Sequence, residues 1–62
     1  MAILLQKKYL FRIDVKKTTL TYRGVVKEMD SNFITFVDEN NELHNFNFNS
    51  IIEYTLIDEV EE

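Results

Sequence analysis

The chain has 62 residues, 45% of them hydrophobic, with no Cys, no Pro, a single Gly, a single His and a formal net charge of −4. That length holds one small domain, which buries only about 60% of the surface its unfolded chain exposes, and the composition excludes disulfides, thiolate zinc sites and His-rich metal centres. No apolar run approaches the roughly 20 residues of a membrane span, and Ile3-Leu4-Leu5 is shorter than the apolar stretch of a signal peptide, so the expectation is a soluble cytoplasmic protein.

In chain order, Met1 to Lys8 reads equally as a short helix or an extra strand. From Tyr9 the pattern has period two: Tyr9, Phe11, Ile13 and Val15 alternate with Leu10, Arg12, Asp14 and Lys16, which predicts a half-buried strand. Lys16-Lys17-Thr18 is short and polar enough for a hairpin connection. A second strand follows, with Leu20, Tyr22, Gly24 and Val26 on one side; a mid-strand glycine marks a bend or a close backbone approach. Asp30-Ser31-Asn32 has turn chemistry, because these side chains hydrogen-bond nearby backbone. Phe33 to Val37 is a third strand, Asp38-Glu39-Asn40-Asn41 the clearest turn, and Leu43 to Phe48 a fourth strand. Ile51 to Leu56 is a fifth: Ser50-Ile51-Ile52-Glu53 could be a helical capping box, but the run of β-branched and aromatic residues favours strand. Five short strands joined by tight turns predict an all-β domain over residues 1–57, closed as a small bent barrel, followed by an acidic tail over 58–62.

Charge is split along the chain. Residues 1–27 hold all seven Lys and Arg and one acid; residues 28–62 hold ten acids and no Lys or Arg. A basic edge of one copy could therefore meet an acidic edge of another, head to tail, and a small open sheet without Pro has edges to cover. Self-association through strand edges is the expectation.

The segment Tyr22-Arg23-Gly24-Val25-Val26-Lys27-Glu28-Met29-Asp30-Ser31-Asn32-Phe33-Ile34 resembles the first signature motif of the Sm-like family (Sm, LSm and Hfq proteins). Phe11-x-Ile13-x-Val15 resembles the family's first alternating strand, and Phe48 to Tyr54 stands where the shorter second motif lies. The resemblance spans residues 9–56. It implies a bent five-stranded barrel, assembled into a ring, that binds single-stranded, often uridine-rich RNA without catalysis or cofactor. It assigns Gly24 to the bend and Asp30 to the turn. It places Asn32 where the family usually carries a stacking side chain, with Phe33 one residue further, and Asn49 nearest the place of the second motif's basic residue. Arg23 and Lys27 would meet phosphate.

Other chemistry is weaker. Asp38, Glu39 and Glu42 could in principle do acid–base work or, with Asn40, hold a hard cation, but turn and surface acids explain them. His44 has no partner His or Cys and reads as a packed or surface imidazole. Most of the eight aromatics are needed to fill a small barrel; Phe46 and Phe48, flanked by Asn45, Asn47 and Asn49, are the candidates for exposed stacking. Two functional alternatives to RNA binding follow: a protein-interaction or scaffold module, and a small acidic inhibitor that mimics nucleic acid.

Overall fold

The computed structural model describes residues 3–57; the acidic tail lies outside them. Over Lys8–Val15 (β1) the side chains of Tyr9, Phe11 and Ile13 are buried while Arg12 and Asp14 face solvent, so the alternation of the sequence becomes the two faces of a strand. Four more strands follow, Thr18–Met29 (β2), Phe33–Asp38 (β3), Leu43–Asn47 (β4) and Ile51–Leu56 (β5); the alternation recurs in β2 up to the bulge and at the start of β3, and β5 departs from it. All pairings are antiparallel, in one five-stranded sheet of order β4-β3-β2-β1-β5. The all-β architecture and the five strands are those predicted. A three-residue 3-10 turn, Phe48–Ser50, carries the chain from β4 to β5, and β5 is a strand where a helix had been the competing reading.

The predicted barrel is not closed: β4 and β5 are the two outer strands and do not pair with each other. The sheet is nevertheless curled. Next-nearest strands lie nearly 10 Å apart in a sheet, at about 4.8 Å per step, yet the rings of Phe11 on β1 and Phe36 on β3 stack with centroids 4.6 Å apart. Only the 3-10 turn separates the end of β4 from the start of β5, which draws the opposite edges together at that end. Its Asn47 side chain caps the turn by accepting the Asn49 N–H at 2.8 Å. Curvature comes from two irregularities: Lys27 is an extra residue in β2 between the pairs Val26–Phe36 and Glu28–Thr35, and Ile52 is one in β5 between Glu53–Arg12 and Ile51–Ile13. Such bulges bend a strand and increase its twist.

The concave face holds the core of Tyr9, Phe11, Ile13, Val26, Ile34 and Phe36, joined by Ile3, with Tyr22, Phe46, Phe48 and Tyr54 packed around it. Gly24 sits in this face because nothing larger fits. A Cβ there would lie 2.6 Å from Phe36 Cδ1 and 2.7 Å from the Val37 carbonyl oxygen. Close approach, not a left-handed backbone, is the reason for glycine.

Residues 3–7 form neither a helix nor a strand. Ile3 is buried, the Leu4 N–H donates to the Tyr9 hydroxyl at 2.9 Å, and Gln6 turns the chain with a φ of 66°. The hairpin between β1 and β2 has two loop residues, Lys16 and Lys17, closed by the pair Val15–Thr18. Both have positive φ, 49° and 70°, as a type I′ turn requires. The expected charge pairing of edges has no footing in this layout. The Lys and Arg residues fall on β1, β2 and their flanks, and neither outer strand carries one.

Candidate functional site

The turn after β2 is built around Asp30. Its Oδ1 accepts the N–H groups of Asn32 and Phe33, each at 2.8 Å. The Asp30 N–H donates to the Phe33 carbonyl at 3.0 Å, and the Phe48 N–H donates to the Asn32 carbonyl at 2.9 Å. A carboxylate accepting two N–H groups is stabilised in its charged form, and these bonds, first that from Asn32 and then that from Phe33, hold the Asp30 carboxyl below the ordinary range. Both backbone groups of Asn32 are thus tied, one to Asp30 and one to the 3-10 turn.

This bracing presents Phe33, whose side chain remains 43% exposed. Phe33 borders a recess of about 360 Å³ together with Lys27, Glu28, Asp30, Thr35 and Asn45. The bulge in β2 delivers Lys27, whose Nζ reaches Gln6 Oε1 at 3.4 Å. Asn45 on β4 pairs in register with Thr35 on β3 and donates from Nδ2 to the Thr35 hydroxyl at 2.8 Å. One exposed aromatic, one amide, one hydroxyl, one cation and the two carboxylates of Glu28 and Asp30 therefore share an open surface. An aromatic face can stack an unpaired base, an amide can bond a base edge, and an ammonium can meet phosphate.

Of the residues nominated from the sequence, Lys27, Phe33 and Asp30 come together here, and Asn32 stands in the same turn. Arg23 does not join them: it borders a separate recess of about 380 Å³ with Thr21, Tyr22, Asp38, Glu39 and Asn40. Asn49 is exposed on the 3-10 turn and lines neither recess. Phe46 and Phe48 are half-buried and packed against the core, so Phe33 is the aromatic most open to a ligand. Asn45 is one of the three asparagines that the sequence sets beside Phe46 and Phe48, and Thr35 was missed. The signal for Thr35 was the alternation itself, since it is the polar residue between the inward Ile34 and Phe36.

The second polar cluster is Asp38, Glu42 and His44, whose potential ligand atoms lie within 4.8 Å of one another. Turn chemistry and core packing account for it. Asp38 Oδ1 accepts the N–H groups of Asn40 and Glu42 at 2.8 and 2.9 Å, and Oδ2 lies 2.7 Å from His44 Nε2. The Glu42 N–H first, and His44 next, hold the Asp38 carboxyl low. The His44 ring packs 4.4 Å from Tyr22 and 5.3 Å from Phe36.

Fold and site together define a small, curled, open-edged β-domain with a braced aromatic beside a cation. Compared with known proteins, the chain matches no family model, no curated protein and no solved structure. Among the described residues no helix is long and apolar enough to cross a membrane.

Proposed function

We propose that this chain is a non-catalytic, Sm-like subunit of the cytoplasm that self-associates through its outer strands and binds single-stranded RNA at the turn after β2. The observation that carries the reading is Phe33: an exposed aromatic on a rigid turn, beside Lys27 and Asn45 in one recess. Single strands are the fitting ligand because their bases are free to stack and their phosphates are spaced for isolated cations. Self-association draws support from the outer strands, where Leu43 on β4 is 69% exposed and Ile52 on β5 is 54% exposed.

A titration of uridine-rich RNA at several salt concentrations tests the reading. Stacking one base on an aromatic is worth about 1–3 kcal/mol, so Phe33→Ala should weaken binding roughly 5- to 150-fold, while Phe33→Tyr should bind like the parent. Asn32→Tyr, which sets a second ring on the same turn, should tighten binding. Equal affinity for Phe33→Ala and the parent would sink the proposal.

The protein-interaction reading keeps one observation in its favour, the apolar side chains on the outer strands. The nucleic-acid mimic has less support. Of its acids, Asp30 and Asp38 are spent on turns, Glu39 pairs with Lys8 at 3.0 Å, and Glu53 pairs with Arg12 at 2.9 Å.

A further inference from the structure

We propose that the tip of the β1–β2 hairpin is a second backbone contact for the bound strand, with Lys16 and Lys17 meeting its phosphates; this rests on the RNA-binding reading above. The first ground is conformational. Lys16 and Lys17 occupy both central positions of a two-residue turn, with φ of 49° and 70°. Asn-Gly or Gly-Gly would sit there without strain, and side chains other than Asn, Asp or Gly rarely do. The chain thus holds two lysines where relaxed alternatives exist, in a domain whose small core leaves little stability to spare. Strain kept at an exposed position points to use.

The second ground is electrostatic. Lys8 and Arg12, on the adjoining strand, are neutralised by Glu39 and Glu53. Lys16 and Lys17 are exposed and form no ion pair with a described residue. The third is placement. β5 pairs with β1 only from Tyr9 to Ile13, and β3 pairs with β2 only from Gly24 onward. The tip therefore projects past both neighbouring strands. From the turn and along β2 the bases then run Lys17, Arg23, which shares its recess with Asp38 and Glu39, and Lys27, which shares the Phe33 recess with Glu28 and Asp30. Ten residues of strand span about 33 Å. Positive charges spread over that length suit a polyanion with repeated phosphates better than a mononucleotide. Lysine fits the role because it meets phosphate as a point charge and carries no base readout.

The test uses the full chain, a uridine-rich RNA long enough to span β2, and three paired variants. Lys16→Asn with Lys17→Gly removes both charge and strain. Its thermal midpoint should rise by about 4 °C or more, while RNA affinity falls several-fold. The slope of log affinity against log salt should drop by about 1.4, for two phosphate contacts at roughly 0.7 each. Lys16→Gln with Lys17→Gln should lose the same affinity without the gain in midpoint, and Lys16→Arg with Lys17→Arg should keep the affinity. A gain in stability coupled to a loss of binding is a pattern that a merely structural turn would not produce. The inference is overturned if both neutral pairs bind like the parent, if Lys7→Gln lowers the slope as much as either pair does, or if poly-glutamate competes as well as RNA. Loss of binding in Phe33→Ala with none in the hairpin variants would overturn this contact alone. A parent chain that binds no RNA would overturn both this contact and the reading beneath it.

Discussion

At the scale of single residues, Asp30 shows how one carboxylate fixes a site. Its two accepted N–H groups hold the turn and depress its pKa. A carboxyl that titrates lower in the folded chain than in the unfolded one stabilises the fold at and above its ordinary value of 3.8 and loses that contribution as pH falls through the folded value. Asp38 acts in the same direction. Urea midpoints measured from neutral pH down to about pH 2 should therefore fall on the acid side. Asp30→Asn, which keeps an acceptor oxygen but cannot ionise, should flatten that fall; an unchanged acid limb would mean that the bonds to Asn32 and Phe33 contribute no charge stabilisation. Asp30 was legible in the sequence because Asx turns are local. Phe33 was nominated beside it, one residue beyond Asn32, but that its ring is exposed depends on the β3 register, with Phe33 opposite Asn47. Gly24 was legible as a special position, and the structure supplies the cause. Gly24→Ala would press a methyl group onto Phe36 and onto the Val37 carbonyl, and the carbonyl belongs to a paired strand that cannot yield. Overpacking of this kind costs about 1–3 kcal/mol, which should appear as a lower urea midpoint.

At the scale of elements, period two made the strands readable, because side-chain alternation is a property of each strand alone. Their ends were less so. β2 runs on to Met29, two residues beyond the alternating segment, because the bulge at Lys27 resets the alternation and lets Met29 pair with Ile34. Residues 3–7 could not be assigned from pattern because their order comes from long-range partners: the Gln6 N–H donates to the Val26 carbonyl at 2.8 Å and the Val26 N–H to the Lys7 carbonyl at 3.0 Å. The turn between β4 and β5 was hidden for another reason. Phe48 continues the apparent alternation of β4, but Asn47 breaks the strand by capping the 3-10 turn with its own side chain. This cap holds together the element that draws the two sheet edges close. Losing an N-cap costs about 0.5–2 kcal/mol, so Asn47→Ala should lower stability by about 1 kcal/mol in urea unfolding. Asn47→Asp, which restores an acceptor, should recover most of it. Equal losses for both variants would place the effect in the Phe33–Asn47 strand pair instead.

At the scale of the whole molecule, the open sheet is the feature that the sequence left undetermined. Strand number follows from the turns, but closure depends on whether β4 and β5 reach each other, and β4, only five residues long, is interrupted before it does. The consequence, among the described residues, is two unpaired outer edges on one small domain, a ready template for pairing between copies. Apolar side chains mark both: Leu43 on one, Ile52 and Leu56 on the other. With no Lys or Arg on either strand, assembly through them would rest on backbone hydrogen bonds and apolar burial, and burial of that kind is not weakened by screening charges. The mass of the chain in solution, followed by light scattering at tens of micromolar, should therefore exceed that of a monomer and should not fall as salt is raised. Leu43→Lys places a charge on an edge strand, the device by which sheet proteins block pairing. Because Leu43 is already 69% exposed, the substitution should leave thermal unfolding of the separate domain nearly unchanged while shifting the mass toward a monomer. A monomeric parent would remove edge pairing from the proposal, and dissociation by salt would return the assembly to the charged residues of β1 and β2.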